Sequence, residues 1–113
     1  MSDNDFVHSY DRSTGERHHE EVYGGKTHKA KLSHEAVAGA AAFAAFRAYE
    51  KKREKEGKKD NHALAKELIA ALAAAEAEKL FETKGLDFLD KRKAEKHARD
   101  AAEKLYTQHY EDK

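Results

Sequence analysis

The chain has no cysteine, no proline and no tryptophan among its 113 residues. Without cysteine there is no disulfide scaffold, no thiolate metal site and no Cys nucleophile. Charge of one sign is missing too: 22 Lys and Arg stand against 22 Asp and Glu, a net of +0. No bulk field therefore steers the chain to nucleic acid or to anionic lipid, and no nucleic-acid partner is expected. The longest apolar run, residues 36–46, is mostly alanine and stops at Arg47. That is short of the roughly 20 residues a membrane span needs. Residues 1–10 are polar and acidic with no apolar core, so neither a signal nor a transit peptide is visible and the expected location is the cytoplasm. Gly15, Gly24, Gly25, Gly39, Gly57 and Gly85 match neither the Walker nor the dinucleotide spacing, which leaves no phosphate loop.

Charged and hydrophobic residues each make up 39% of the chain, and the hydrophobic ones are clustered and periodic instead of dilute. Residues 1–32 lack a sustained period and read as a flexible polar arm, in which Val22 and Tyr23 alone are placed to dock on the rest. Residues 33–110 read as a helical bundle domain, and 111–113 as a tail.

The spacing predicts three helices. Ser33 caps the first, which runs from 34 to about 56 and stops at Gly57. Asp60 or Asn61 caps the second, from 62 to about 83, and Gly85 ends it. The third begins near Leu86 and Asp87 and runs to 109 or 110. Short connections of this kind predict an all-α, antiparallel three-helix bundle with a flexible N-terminal arm. On the second helix Ala65, Ile69, Leu72, Glu76 and Leu80 fall on one stripe with Leu64 and Leu68 beside it. On the first, Ala36, Ala40, Ala44 and Ala48 form a smooth ridge that allows close helix approach inside the bundle or across a dimer seam. Alanine removes little apolar area from water, so the core is small and a homodimer is expected to supplement it.

Three strings carry a family resemblance: HKAKLSHEAVAGAAAFAAF at 28–46, AKELIAALAAAEAEKLFETKGLDFLD at 65–90 and KHARDAAEKLYTQHY at 96–110. The chain resembles the CipC family of small, stress-associated fungal antibiotic-response proteins. The resemblance implies induction under stress in a microbial cytoplasm, and it brings no catalytic motif.

Candidate chemistry rests on eight histidines and one carboxylate. His18 and His19, followed by Glu20 and Glu21, carry ligand types competent for a divalent transition metal, on an arm that offers no preset geometry. The run His34-Glu35-Ala36-Val37-Ala38 opens like a zincin helix, but alanine stands where the second ligand must be. In an up-down-up bundle His62 and His109 meet at one end, near Tyr49 and Tyr106, where two imidazoles could hold a metal or haem; the plainer reading is solvated terminal histidines. Glu76 falls on the expected buried stripe, which calls for a partner, and His97 or Arg47 lies nearest in register. Such a pair more simply fixes helix register than performs acid–base work. The sequence thus predicts a non-enzymatic stress-response protein with no cofactor, acting on a protein or small-molecule partner, with a histidine-dependent metal- or haem-binding bundle as the alternative.

Overall fold

The structure, a computed structural model, describes residues 3–24, 32–56 and 61–111. It is all-helical: α1 (Asp3–Ser9), α2 (Arg12–Tyr23), α3 (His34–Glu56), α4 (His62–Lys84) and α5 (Lys91–Tyr106), with a closing π-helical turn, Thr107–Glu111. The expected stop at Gly57, the alternative cap Asp60 and residues 112–113 of the tail lie outside the described residues.

The caps explain the boundaries. Ser33 Oγ accepts from Ala36 N–H at 3.1 Å, and Asn61 Oδ1 accepts from Leu64 N–H at 2.9 Å. These satisfy amides that a first turn leaves without a partner. Gly85 follows α4 with φ 61 and ψ 51, the left-handed conformation in which glycine has no Cβ penalty. The third predicted helix starts later than expected. Residues 86–89 form a turn, and Asp90 caps α5 by accepting from Lys93 N–H at 3.2 Å.

Helices α3, α4 and α5 pack against one another in all three pairings, and α2 lies along α3. His34 Nε2, at the start of α3, accepts the backbone N–H of Asp90 at 2.8 Å, which joins the starts of α3 and α5. His62 at the start of α4 meets Tyr106 at the end of α5, so α4 runs against α5.

Among the described residues there are five α-helices where three were expected, because residues 3–24 of the supposed arm are folded. Residues 3–9 and 12–23 are helical, and Phe6, Tyr10 and Val22 are buried in the main core. Val22 docks as its apolar side chain suggested, whereas Tyr23 stays partly exposed. Asp11 starts α2 by accepting from Thr14 N–H at 2.8 Å, and Tyr10 Oη donates to Gly39 O at 2.7 Å in the interior. Lys104 Nζ donates to the carbonyls of Val7 (2.7 Å) and His8, placing a cation at the negative end of α1.

This arrangement also explains the alanines. Helix α3 has α2, α4 and α5 around it, and Ala38, Ala40, Ala41 and Ala42 are fully buried. A helix surrounded on three sides needs small side chains for its neighbours to approach. Ala36 and Ala40 of the ridge are therefore sealed within the chain, while Ala44 is half-buried and Ala48 is exposed. The buried stripe of α4 is Ala65, Ile69, Ala73, Ala77 and Leu80; Leu72 and Glu76 are only half-buried, and Leu64 is 57% exposed. Phe88 is 53% exposed in the 86–89 turn.

Candidate functional site

Aromatic and ionic side chains gather where α3 and α5 end, α4 begins and α2 begins. Spacing on α5 and its π turn places Tyr106 and Tyr110 four apart, with ring centroids 4.8 Å apart, and Tyr49 of α3 meets both edge-on at 5.9 and 6.1 Å. Arg53 lies 4.2 Å over the Tyr110 ring. Such offset and edge-on pairs, with a cation over a ring face, hold a helix end rigid. His62 Nδ1 is 2.7 Å from Tyr106 Oη and 3.8 Å from Glu111, whose other carboxylate oxygen is 3.1 Å from Lys66 Nζ.

Beside this cluster an open pocket of about 170 Å³ is lined by Arg12, Phe46, Leu105, Gln108 and His109. The Arg12 guanidinium stands 5.7 Å over the Phe46 ring, and His109 meets the same ring edge-on at 5.3 Å. His109 Nε2 is 3.7 Å from Glu50. The π turn widens the backbone at 107–111, re-aiming Gln108 and His109 relative to a regular α-helix; single π turns of this kind recur at functional sites. Arg12 comes from α2, so the pocket exists only because the N-terminal segment is docked.

His62 and His109 therefore stand at one end of the molecule, each engaged with its own neighbours. His18 and His19 do not form a chelate: they occupy successive positions of α2 and face different groups. His18 packs toward Phe6 and Tyr10, with its Nδ1 buried and without a hydrogen-bond partner, close against Gly39. Burial holds this imidazole below the usual histidine range, Arg17 pushes the same way, and Glu21 and Glu35 oppose. His19 stacks on Tyr23 at 4.4 Å and meets Phe43 edge-on at 5.5 Å, and it too is lowered, by burial first and then by Arg47. Among the described residues, no group of three or more His, Asp or Glu is placed to hold a metal ion.

The hydrogen bond at Glu76 comes from the supposed arm: Tyr23 Oη donates to it at 2.6 Å. Burial and this bond push the Tyr23 phenol well above its ordinary value. His97 is buried in α5 and stacks on Phe6 at 5.2 Å, while Arg47 is exposed with its guanidinium 5.9 Å over Phe43. Glu76 is thus a tie between α2 and α4, where the sequence placed a contact with α5 or α3. Arg12 and Gln108 were missed as site residues. Gln108 carries no signal in sequence, but the Asp11–Thr14 capping pair marks a helix start that presents Arg12.

No curated protein and no solved structure matches this chain. One family profile does, described as virulence factor CipC-like, over residues 18–109. That span covers α3, α4 and α5, the second half of α2 and the pocket's wall at Leu105, Gln108 and His109, and by it the chain belongs to the CipC-like family.

Proposed function

We propose that this CipC-like chain is a non-enzymatic stress- and antibiotic-response protein of the cytoplasm, and that it works by association, taking a small ligand into the pocket between α2, α3 and the π turn. The observation that carries the reading is the wall itself. Apolar Phe46 and Leu105 are flanked by three convergent polar side chains, Arg12, Gln108 and His109. Ligand sites combine an apolar lining with a few orienting polar groups in this way. A second copy, expected from the small core, belongs to the same proposal.

The test is a thermal-shift screen of the full chain against small anionic, neutral and cationic compounds, run beside Gln108→Trp. Gln108 is exposed at the pocket rim, so the bulky indole covers the opening without entering the core. A ligand that binds only the folded state raises the melting temperature by mass action. At least one compound class should stabilise the wild type and not the variant. Identical responses in both proteins, or none, would remove the pocket from the account. Sedimentation equilibrium on the same sample reads the second copy, and a monomer mass at every concentration removes it.

A further inference from the structure

We infer that the pocket selects a small planar monocarboxylate, with Arg12 as its anchor. The inference deepens the reading of the pocket as a ligand site and rests on it.

The sign of charge comes first. Among the described lining residues Arg12 is the permanent cation, and none of them is a carboxylate. Its acidic neighbour, Glu16, is 4.0 Å away, and both side chains are more than half exposed. An exposed pair at that distance is held weakly, leaving the guanidinium fork available to a better-placed acceptor. Glu50 lies behind His109, 3.7 Å from Nε2, on an imidazole that is itself part of the wall. Glu50 itself is not part of the described lining, whereas Arg12 is.

Shape comes next. Arg12 already lies over the face of Phe46, and His109 meets that ring edge-on, so the polar groups converge beside an aromatic and aliphatic surface. A carboxylate accepts two parallel N–H bonds from a guanidinium, which fixes the plane of the acid group. The Gln108 amide adds a neutral donor at the rim. A flat ring attached to that carboxylate then lies along Leu105 and Phe46. About 170 Å³ in an open pocket is enough to seat a single aromatic ring such as that of benzoate.

The experiment uses ligand-observed saturation-transfer NMR on the full chain with benzoate, its neutral isostere benzamide and the cation benzylammonium. Proteins are wild type, Arg12→Gln, Arg12→Lys and Gln108→Trp. Benzoate should bind wild type about tenfold or more tighter than benzamide, as expected for hydrogen bonds to a charged group. Arg12→Gln should remove that advantage, weakening benzoate far more than benzamide, and Arg12→Lys should keep only part of it, because the charge remains and the fork is lost. Gln108→Trp should abolish both. If benzoate and benzamide bind equally and both are lost in Gln108→Trp, the pocket stands and the carboxylate assignment is overturned. If Arg12→Gln binds benzoate like wild type, or benzylammonium binds best, the assignment is likewise overturned. If no probe binds, or Gln108→Trp changes nothing, the ligand pocket falls with it.

Discussion

Gly39→Ala is the sharpest probe of how the N-terminal helices are held. A Cβ added at Gly39 comes 2.0 Å from His18 Nδ1, 2.9 Å from its Cγ and 3.0 Å from its Cε1. Because Cγ is among the near atoms, spinning the ring about its own axis does not clear the methyl. The whole side chain must swing out of its place beside Phe6 and Tyr10, or α2 must lift. Lifting α2 is opposed by Tyr10 Oη, bonded to Gly39 O at 2.7 Å. Two effects compete. Alanine in a helix interior gains about 1 kcal/mol over glycine, whereas overpacking a filled interface costs about 1–3 kcal/mol. A Cβ this close puts the cost at the upper end, so the net change is a loss of about 1–2 kcal/mol, confined to α1 and α2. Urea melts give the global value, and hydrogen exchange by mass spectrometry gives its location. Peptides within 12–23 should lose protection while those within 62–84 do not. Adding His18→Ala to Gly39→Ala should recover part of the loss, which a double-mutant cycle measures. A raised urea midpoint with unchanged protection across 12–23 would refute the reasoning, since α2 would then not be seated on Gly39.

Three further outcomes follow from the same contacts. Deleting residues 1–24 should destabilise the protein by several kcal/mol, since burying side chains such as Phe6, Tyr10 and Val22 contributes on the order of 1.5–3 kcal/mol each; an unchanged thermal midpoint would return the segment to the status of an arm. His18 has a lowered native pKa, so its contribution is complete above the ordinary histidine value of about 6.5 and is lost as pH falls from there through the depressed native value. The slope is below ~1.4 kcal/mol per pH unit, because solvent reaches part of the ring, and urea melts of His18→Gln should show a flatter profile between pH 7 and about pH 5. Tyr10 and Tyr23 are both raised, Tyr10 mainly by burial. Absorbance at 295 nm should therefore show part of the five tyrosines resisting ionisation beyond the ordinary value of about 10 until the fold opens, and simultaneous titration of all five would contradict their placement.

The sequence was informative where local chemistry decides and weak where packing does. Ser33, Asn61 and Gly85 mark helix ends by hydrogen bonds or backbone angles that belong to single residues, and they stand where expected. On α4 the large residues alone do not mark the buried stripe. Ala73 and Ala77 are buried because close helix approach favours methyl groups, and Leu72 and Glu76 are displaced to the flank. Helices α1 and α2 leave little trace in the sequence for a related reason. Gly15 reads as a breaker in sequence, yet it lies inside α2, where a Cβ would come 2.5 Å from Tyr10 Oη. Its role is close approach, which no period reveals. An excess of alanines around α3, beyond what two neighbours cover, was the available sign of a further helix. The aromatic end was legible through His62, His109, Tyr49 and Tyr106, but the pocket needed Arg12 from α2 and the re-aimed Gln108, neither of which sequence spacing brings together.

The central claim is that α2 completes a ligand pocket with α3 and the end of α5. Its most direct test is a benzoate titration of the uniformly ¹⁵N-labelled full chain, followed by amide chemical shifts. The account predicts saturable shifts concentrated at Arg12, Phe46, Leu105, Gln108 and His109, with the opposite end of the bundle around His34 and Asp90 silent. Shifts centred on His34 and Asp90, or movements of residues 105–109 without Arg12, would contradict it.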